Sequence, residues 1–586
     1  MKKVKAPYNK NEIVTVTVTD MGSSGEGIGR TQQGYTLFIK DAVIGDTVTA
    51  RIMKANKSYG FARLEEVLVP SAGRAEPLCP LYRKCGGCQI QAMSYAAQLD
   101  YKYRKVREDL IRIGGFPEAS VDACMRPAVG MEDPWRYRNK EQVPVGTDKE
   151  GKLVTGFYAG RTHSIVPMRD CLLGRKENAR ILETVLTYME QYRVPAYEES
   201  SGSGMIRHIL IRNGIYTNQV MVCIVAAADR LPREEALVSA LQELPGMASV
   251  SLNTNKEKTN VILGRKVRTL WGSDVIEDDL FIQQVRYEIP APDGGRAAAV
   301  FTGTGEKVRF RISPLSFYQV NPRQTEKLYS LVLHLAELTG KEVVWDLYCG
   351  VGTISLFLAG RAGQVYGVEV IPAAIEDARR NAALNHIDNA RFYVGKAEEV
   401  LPDYVKEQEE RGQLGKVDLI VVDPPRKGCD PVCLDTILKI RPDKVIYVSC
   451  DPATLARDLK ILCEGGYSLR TVQPVDQFPQ TSHVETVCLL SKLSEAKNHI
   501  SVKVDMDEMD VTAAESKATY EEIQEWVQEK YGFHVSHLNI AKTKRKCGII
   551  ERQNYNLPKS EDSRSPETPP EKEKAIKEAF SYFQMI

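Results

Sequence analysis

Four short apolar runs, each followed by a helical stretch, are the sequence feature that most constrains the fold. They are EVVWDLYCG, QVYGVEV, VDLIVVDPP and KVIYVSC, and they lie between residues 342 and 450. Apolar strands that alternate with helices are typical of a parallel sheet with helices on both faces. We therefore predict a Rossmann-like, doubly wound α/β domain over residues 311–495.

The N-terminal part of the chain has the strand periodicity of a small all-β module. EIVTVTVTD alternates strictly and sets Val14, Val16 and Val18 on one face, and YTLFIK, DTVTARIM and YGFARLEEVLV follow between glycine-rich turns. Four or five such strands predict a small OB-like β-barrel over residues 1–70, of a kind whose grooves often carry nucleic acid. A bare barrel without a ligand is the alternative.

The rest of the chain divides into two less regular regions. Residues 71–310 contain strands such as MIRHILIRNG, a basic helix-like stretch, LDYKYRKVREDLIRIGGF, and several cysteines, and they predict a central mixed α+β domain. Residues 496–586 are more polar. In them SKATYEEIQEWVQEKYG predicts an amphipathic helix and KTKRK a basic patch, and PKSEDSRSPETPPEKEK predicts a flexible linker before a last short helix. We assign this accessory segment no role.

Composition and charge limit the class of protein. The 586 residues are 43% hydrophobic and 26% charged, as in an ordinary globular protein, and no apolar run is long enough to span a bilayer. MKKVKAPYNK has no apolar stretch after its basic residues, so we expect a cytoplasmic protein without membrane association. No oligomeric interface is evident, and a monomer is favoured.

Charge is unevenly distributed along the chain. Although the net charge is +1, residues 1–140 carry 22 Lys and Arg against 15 Asp and Glu. A basic N-terminal part on a neutral chain fits a surface that binds a polyanion such as RNA. Ordinary solvated surface charge is the alternative.

A turn after the first apolar strand predicts a nucleoside site. The strand ends in Asp346, Gly350 and Gly352 follow in a strand-to-helix turn, and Glu369 ends the next strand, where an acid suits ribose hydroxyls. A dinucleotide fingerprint needs a third glycine where this chain has Ser355. The turn therefore favours an adenosine ligand without a pyrophosphate, and S-adenosylmethionine is the candidate.

The third and fourth apolar strands also end in polar residues. Asp423 precedes two prolines, and Cys450 stands at the matching end of VIYVSC. Ligands bind at the carboxyl ends of strands in open α/β sheets, so Cys450 is a candidate nucleophile. Because free cysteine is often a buried packing residue, a core position is the alternative.

A second group of cysteines has metal-ligand spacing. CPLYRKCGGCQIQ sets Cys79, Cys85 and Cys88 in a C-x5-C-x2-C pattern, and MRDCLLG offers Cys171 as a fourth ligand. Four thiols of a chain expected to be cytoplasmic suit either a structural zinc or an iron–sulfur cluster. The spacing alone leaves both open.

Several long motifs, in the same order, resemble the S-adenosylmethionine-dependent RNA uracil-C5 methyltransferases. They are DLYCGVGTISL, VVDPPRKG, YVSCDPATLARDL and QTSHVETVCLL. The resemblance covers roughly residues 10–490. The chain is similar in particular to the 23S ribosomal RNA branch of the family, which has an N-terminal TRAM domain and a cysteine cluster.

The resemblance implies roles for individual residues. Four are implied to contact S-adenosylmethionine: Gln319, Tyr348, Glu369 and Asp423. Two are implied to be catalytic: Cys450 as the nucleophile and Glu485 as the base. Four are implied to hold a 4Fe-4S cluster with a part in folding and RNA recognition: Cys79, Cys85, Cys88 and Cys171.

The implied chemistry explains these residue types. Carbon 5 of uracil is a poor nucleophile until a thiolate adds to carbon 6, and a base must later remove the carbon-5 proton so that the cysteine can leave. The site is therefore expected to lower the pKa of Cys450 from about 8.5. The target base must also leave its stack to reach the pocket.

The resulting expectation is an enzyme that makes 5-methyluridine in RNA, most simply in 23S ribosomal RNA. A transfer RNA uridine is the alternative substrate. A non-catalytic RNA-binding or assembly protein that keeps the fold is the alternative function.

Overall fold

The computed structural model describes residues 6–160, 162–289, 296–411, 416–493, 520–547 and 568–583. The chain divides into two compact units, Met1–Ser494 and Glu495–Ile586. No helix in the described ranges is both long enough and apolar enough to cross a membrane.

The first unit begins with a closed five-stranded barrel, in the order β1-β2-β3-β5-β4. The strands are β1 (Ile13–Met21), β2 (Gly27–Arg30), β3 (Thr36–Lys40), β4 (Thr47–Ala55) and β5 (Tyr59–Val69). The barrel closes because β1 pairs with both β2 and β4. Alternate apolar residues such as Val16, Val18 and Leu37 fill its core. The prediction of a small N-terminal barrel is confirmed.

A seven-stranded sheet follows, in the order β12-β11-β10-β9-β6-β7-β8. The elements up to its last strand are α1 (Tyr95–Arg112), α2 (Glu118–Cys124), β6 (Lys140–Thr147), β7 (Leu153–Tyr158), β8 (Ile165–Pro167), α3 (Asn178–Gln191), β9 (Ile206–Asn213), β10 (Val220–Ala226), α4 (Glu234–Gln242), β11 (Met247–Thr254) and β12 (Lys266–Gly272). Apolar side chains of α3 and α4 pack on this sheet. A long hairpin, β13 (Ile276–Glu288) with β14 (Ala298–Ile312), leads to the next domain.

The third part of this unit is a second seven-stranded sheet, in the order β17-β16-β15-β18-β19-β21-β20. Its elements are α5 (Pro322–Ala336), β15 (Val343–Leu347), α6 (Thr353–Ala359), β16 (Gln364–Glu369), α7 (Pro372–Leu384), β17 (Ala390–Val394), α8 (Ala397–Glu410), β18 (Leu419–Val422), α9 (Pro431–Ile440), β19 (Lys444–Ser449), α10 (Pro452–Glu464), β20 (Tyr467–Val475) and β21 (Glu485–Lys492). Strands β15 to β19 are parallel, whereas β21 runs antiparallel to β19 and β20. The doubly wound prediction is confirmed.

Helix capping sets where the chain turns after β19. The Asp451 side chain accepts hydrogen bonds from the amides of Ala453 and Thr454 at 3.0 and 3.2 Å, and Pro452 takes the first helical position of α10. Asp and Pro are both favoured there, because the carboxylate satisfies free amides and proline has no amide to satisfy. Cys450 is thereby held between the strand end and the helix start.

The second unit contains three described helices, α11 (Tyr520–Tyr531), α12 (His537–Lys546) and α13 (Pro570–Tyr582). Their apolar faces share a small core that includes Ile523, Val527 and Phe580. The predicted amphipathic helix coincides with α11 from Tyr520 onward, and its first residues lie outside the described ranges. The predicted last short helix is confirmed as α13. It begins at Pro570, within the last residues of the predicted linker, so that boundary was wrong, and the linker residues before 568 lie outside the described ranges.

Candidate active site

The polar residues that end four neighbouring parallel strands lie at one edge of the second sheet. In the ladder register Leu347 pairs with both Val368 and Val422, and Val422 pairs with Tyr447. Glu369 is the last residue of β16, and the other three directly follow β15, β18 and β19. The four residues therefore lie at the same edge of the sheet: Tyr348, Glu369, Asp423 and Cys450. With Glu485, which lies opposite Cys450 on β21, the structure brings together five of the six non-metal residues singled out from the sequence.

The glycine turn after β15 is open on one side. Gly350 and Gly352 have φ of 56° and 81°, and Tyr348 has φ of 71°. A side-chain carbon at Gly352 would crowd Phe392 at 3.0 Å, whereas one at Gly350 would meet no atom within 4 Å. The turn therefore packs tightly behind Gly352 and leaves backbone accessible to a ligand at Gly350.

Asp346 lies beneath this turn and is completely buried. The Ser355 hydroxyl donates to Asp346 Oδ2 at 2.5 Å, so the residue that breaks the dinucleotide fingerprint orients this carboxyl. Burial raises the pKa of Asp346 to about 7. Within the described residues Asp346 Oδ1 has no hydrogen-bond partner. Such an orphaned acceptor suits a site that receives donors from a ligand.

Cys450 and Glu485 are neighbours across two antiparallel strands. Ser449 at the end of β19 pairs with Thr486 of β21, so the next residues in this register are Cys450 and Glu485. Burial first, and then the charges of Glu485 and Asp423, raise the pKa of Cys450 to about 12, while the charge of Arg426 acts in the opposite direction. The expectation of a lowered thiol pKa was wrong for this arrangement, because burial first, and then the two flanking carboxyl groups, disfavour the thiolate.

The two carboxyl groups beside Cys450 are themselves perturbed. Glu485 is only 4% exposed, and burial followed by the charge of Asp423 raises its pKa to about 8. Burial followed by the charge of Asp346 raises the pKa of Asp423 to about 7. Carboxyl groups that titrate near neutral pH can both take up and release protons, as general acid–base chemistry requires.

The loop that leads into Glu485 is held by helix α1, which is distant in sequence. The Lys102 ammonium is fully buried, forms an ion pair with Asp476 and donates to the Phe478 carbonyl at 3.0 Å. Gln98 donates to the Gln480 side chain at 2.9 Å and accepts from the Gln480 amide at 3.0 Å. These contacts fix the loop between β20 and β21 just before the carboxyl group that faces Cys450.

Sequence reasoning missed this support, although a signal was present. Gln98 and Lys102 stand at four-residue spacing on a helix stripe that continues with Val106 and Leu110. Residues four apart lie on one face of a helix, so two polar residues on a core stripe indicate buried polar contacts. The stretch was interpreted only as basic.

Gln319 lies outside the sheet edge, on the segment that leads to α5. Its backbone carbonyl accepts from Asn139 Nδ2 at 2.9 Å. Two residues on, Asn321 Nδ2 donates to the Gln477 carbonyl at 3.0 Å, which links this segment to the loop before Glu485. Tyr348 has its hydroxyl toward helix α9, where burial and the thiols of Cys433 and Cys429 raise its pKa.

The four cysteines with metal-ligand spacing line one cavity of about 350 Å³, together with Tyr82, Phe157 and Met168. Burial and the neighbouring thiols raise the pKa of Cys88 to about 12, and burial followed by the charge of Glu141 raises that of Cys171 to about 11. In the part of the chain that the structure describes, no three His, Cys, Asp or Glu side chains form a group that could hold a metal ion. The iron–sulfur assignment stays a prediction.

Comparison with known families gives two matches. A family model described as tRNA (Uracil-5-)-methyltransferase matches residues 299–493, which contain the whole sheet edge described above. A model described as TRAM domain matches residues 8–64, which contain most of the barrel.

Individual relatives match over nearly their whole length. The chain is 44% identical over 491 residues to an uncharacterized RNA methyltransferase of Halalkalibacterium halodurans, which covers 84% of this chain and 99% of that protein. It is 43% identical over 498 residues to an uncharacterized RNA methyltransferase of Clostridium tetani, with 85% and 100% covered.

Among solved structures, the chain resembles Pyrococcus abyssi tRNA (uracil-54, C5)-methyltransferase in complex with S-adenosyl-L-homocysteine. The TM-score is 0.61 at 26% identity, and the match covers 81% of this chain and 99% of that chain.

Proposed function

The chain belongs to the RNA uracil-5-methyltransferase family and carries a TRAM domain, and we propose that it methylates carbon 5 of a uridine in RNA. S-adenosylmethionine is the methyl donor and 23S ribosomal RNA the proposed substrate. The observation that carries the proposal is the juxtaposition of Cys450 and Glu485 across β19 and β21, beside the open glycine turn.

The residues at the sheet edge fit an adenosine-containing methyl donor. Glu369 ends β16, where an acid can accept from both ribose hydroxyls. The open side of Gly350 admits the ligand to the backbone, and the unpaired Asp346 Oδ1 offers an acceptor. Gln319, Tyr348 and Asp423 remain proposed contacts. The donor supplies an electrophilic methyl group on sulfur, and the residues of this chain orient it toward the uracil.

Cys450 is the proposed nucleophile. Its sulfur adds to carbon 6 of the uracil, and the electron pair of the double bond between carbons 5 and 6 moves into the ring as an enolate. Because flanking carboxyl groups raise the thiol pKa, the proton leaves as the sulfur attacks rather than beforehand. Asp423, with a pKa of about 7, is the group we assign to hold that proton.

Glu485 is the proposed base. The electron pair of the enolate forms a bond from carbon 5 to the methyl carbon while the methyl–sulfur bond breaks, and S-adenosylhomocysteine leaves with that bond's electron pair. Carbon 5 then carries both the methyl group and its proton. The Glu485 carboxylate removes the proton, and the electron pair left behind re-forms the ring double bond and expels the Cys450 thiolate. A carboxyl group with a pKa of about 8 is a stronger base than an exposed glutamate, which suits abstraction of a carbon-bound proton.

The test of the function has two parts. Turnover with labelled S-adenosylmethionine and RNA from cells that lack the gene distinguishes an enzyme from a non-catalytic RNA-binding protein, which would transfer no label. Mapping of 5-methyluridine in RNA from cells with and without the gene then identifies the substrate. Loss of a ribosomal RNA mark is the expected result.

Transfer RNA is the second candidate substrate. The similarity to the archaeal tRNA enzyme over 81% of this chain favours it. The four-cysteine motif, which resembles the ribosomal RNA branch, favours ribosomal RNA. A mark lost from transfer RNA alone would decide for the second candidate.

We also propose a 4Fe-4S cluster on Cys79, Cys85, Cys88 and Cys171. The support is that all four thiols line one cavity of about 350 Å³. Zinc draws its sulfurs to about 2.3 Å from one point, whereas a cluster spaces its cysteines around a larger inorganic core. Protein purified without oxygen should be brown and contain about four irons per chain. Stoichiometric zinc without iron would contradict the assignment.

A further inference from the structure

The loop that begins at Asp423 carries a cation that acts on the proposed nucleophile and base. This loop, residues 423–430, connects β18 to α9. Burial and the neighbouring carboxyl charges raise the pKa of Cys450, and the positive charge of Arg426 opposes that rise. The same charge opposes the rise in the pKa of Glu485 that burial and Asp423 cause. The position of this one side chain therefore matters to both residues.

Helix α10, which begins two residues after Cys450, holds the backbone of this loop. Thr454 Oγ1 donates to the Arg426 carbonyl at 3.2 Å, and Arg457 Nη2 donates to the Lys427 carbonyl at 3.0 Å. Because residues three apart lie on one face of a helix, both bonds come from the same side of α10. Two successive carbonyl groups of the loop are thus fixed to the helix that follows the nucleophile.

Asp458 lies next to Arg457 on α10 and is the centre of these contacts. It is fully buried, and its Oδ2 accepts from the Cys429 amide at 2.8 Å and from the Tyr447 hydroxyl at 2.6 Å. Its Oδ1 accepts from Arg457 Nε at 2.7 Å. Tyr447 lies on β19, three residues before Cys450, so this carboxyl group joins the strand of the nucleophile, the helix after it and the loop. We give the α10 residues that hold the loop the name loop clamp: Thr454, Arg457 and Asp458.

A glycine lets the loop lie this close to the helix. Gly428 has φ of 80°, and a side-chain carbon there would come within 2.5 Å of Arg457 Nη2 and of Asp458 Oδ2. A residue with a side chain would be strained at this φ and would be pushed away from α10. A substitution at Gly428 therefore displaces the loop while every charge stays in place.

The tip of the loop has little other restraint. Pro425, Arg426 and Lys427 are exposed, so packing contributes little to their position. The attraction between two charges decreases with their separation and is screened by water. An arginine on a loosely held tip would therefore have a weak effect on Cys450, and the bonds to α10 supply the restraint that packing does not.

We propose that Asp458 is a positioning residue: by holding the loop on α10 it keeps the Arg426 guanidinium beside Cys450, where it stabilises the negative charge that develops on the attacking sulfur. A direct effect of Asp458 would have the opposite sign, because a further negative charge disfavours a thiolate. The inference rests on the proposed function, in which Cys450 is the nucleophile, and it adds a residue that acts through another.

The test is the rate at which iodoacetamide modifies Cys450 in the full-length protein at about pH 8, without RNA or methyl donor. Mass spectrometry of the peptide that contains Cys450 follows this thiol separately from the others. Since the thiolate is the reactive form, the rate reports how well the site stabilises negative charge on the sulfur. Arg426→Gln should slow modification about threefold or more, because the thiolate fraction falls about tenfold while each remaining thiolate is more nucleophilic.

Asp458→Ala should slow modification to the same extent, although loss of a negative charge would by itself speed it. In the double variant with Arg426→Gln the two effects should not multiply, because the loop clamp acts through Arg426. Asp458→Asn should keep most of the unaltered rate, since its amide oxygen can still accept from the Cys429 amide. Lys460→Met, which breaks an exposed pair with Glu464 on the same helix, is the matched control and should leave the rate unchanged.

Gly428→Ala covers the case in which Asp458→Ala unfolds. It should displace the loop and slow modification of Cys450 with no change in charge. Cys463, which is also partly buried, is the internal gauge of folding, because unfolding would speed the modification of both thiols.

Two results would overturn the proposal. One is a rate equal to or above that of the unaltered protein in Asp458→Ala, or in Gly428→Ala where the first variant is unfolded. The other is a double variant in which the effects of Asp458→Ala and Arg426→Gln multiply. Because modification is measured without methyl transfer, either result leaves the proposed methyltransferase function standing, whereas absent turnover in the unaltered protein would contradict that function and leave the modification rates as measured.

Discussion

The thiol at the sheet edge, Cys450, and the four thiols of the central cavity differ in which side chains surround them. The sulfur of Cys450 interacts with the charges of two carboxyl groups, the buried Glu485 and the half-buried Asp423. Cys88, in the four-cysteine cavity, has other thiols as neighbours. Burial raises the pKa at both places, so burial does not distinguish them.

The side chains beside each thiol indicate which chemistry it suits. A carboxyl group that titrates near pH 7 or 8 can exchange a proton with an adjacent thiol or substrate, which suits a nucleophile used in every turnover. Several thiols around one cavity repel each other once ionised and are stabilised together by a cation, which suits a permanent metal group. In our proposal one residue type serves two purposes, and the following changes test that difference.

Removal of the nucleophile has the largest expected effect. Cys450→Ala should abolish methyl transfer and covalent adduct formation while binding of S-adenosylmethionine and RNA persists. Cys463→Ala is the matched control, because Cys463 is also partly buried with a pKa raised to about 11, but its neighbours are the thiols of Cys124 and Cys488 rather than the carboxyl groups of Glu485 and Asp423. Retained turnover in Cys450→Ala would return Cys450 to a packing role.

Removal of the base should stall the reaction after methyl transfer. Glu485→Gln can still add the thiol and accept the methyl group but cannot take the carbon-5 proton, so turnover should fall about 100- to 10,000-fold. A methylated protein–RNA adduct should then persist on a denaturing gel, as it should for the unaltered enzyme on RNA with 5-fluorouridine at the target. An adduct in the Cys450→Ala, Glu485→Gln double variant would point to another nucleophile.

The helix that supports the catalytic loop gives a smaller effect. Lys102→Met leaves the buried Asp476 carboxyl without its ammonium partner and should cost about 3–5 kcal/mol of stability. Product release should also slow, roughly tenfold, because Glu485 is less well positioned. Arg104→Met, which breaks an exposed pair with Asp100 on the same helix, is the control. Equal effects of both variants would contradict the positioning role.

Loss of one thiol from the cavity tests the other half of the comparison. Cys85→Ser should lose most of the iron and lower Tm by about 5 °C or more, because metal binding is coupled to folding. It should still form the covalent adduct at Cys450 at permissive temperature. Iron content, thermal unfolding and the denaturing gel measure the three outcomes, and a Cys85→Ser protein with normal iron would remove Cys85 from the ligand set.

The pH dependence of stability is the smallest expected effect. The folded pKa of Glu485, about 8, lies above its ordinary value of 4.5, so its contribution is complete below pH 4.5 and is lost as pH rises through 8. Gln does not titrate, so Glu485→Gln should be more stable than the unaltered protein by about 1 kcal/mol or more at pH 8, with little difference at pH 5. Thermal unfolding at pH 5 and at pH 8 measures the difference in stability between the two proteins. A difference that does not depend on pH would indicate that the Glu485 carboxyl group is exposed to solvent.

The sequence by itself determined the barrel, the parallel sheet and the edge at which Asp423 and Cys450 lie. Strand alternation, apolar runs and turn residues are local patterns, and parallel strands bring their carboxyl ends to one edge whatever else the chain does. The cysteine spacing likewise named the four thiols that line one cavity. The last short helix was predicted as well, but its start was wrong by a few residues, because proline and charged residues are typical of linkers and also begin helix α13.

Only the tertiary structure decided the electrostatics and the long-range supports of the site. Glu485 meets Cys450 because β21 returns antiparallel to β19, and Lys102 meets Asp476 across 374 positions of sequence. The raised pKa of Cys450 depends on the side chains and the amount of water around its sulfur. The side-by-side position of Phe38, Tyr59 and Phe61 on the outside of the barrel depends on the pairing of β3 with β5. Burial and neighbouring charge are properties of the folded surface, and no local pattern of residues encodes them.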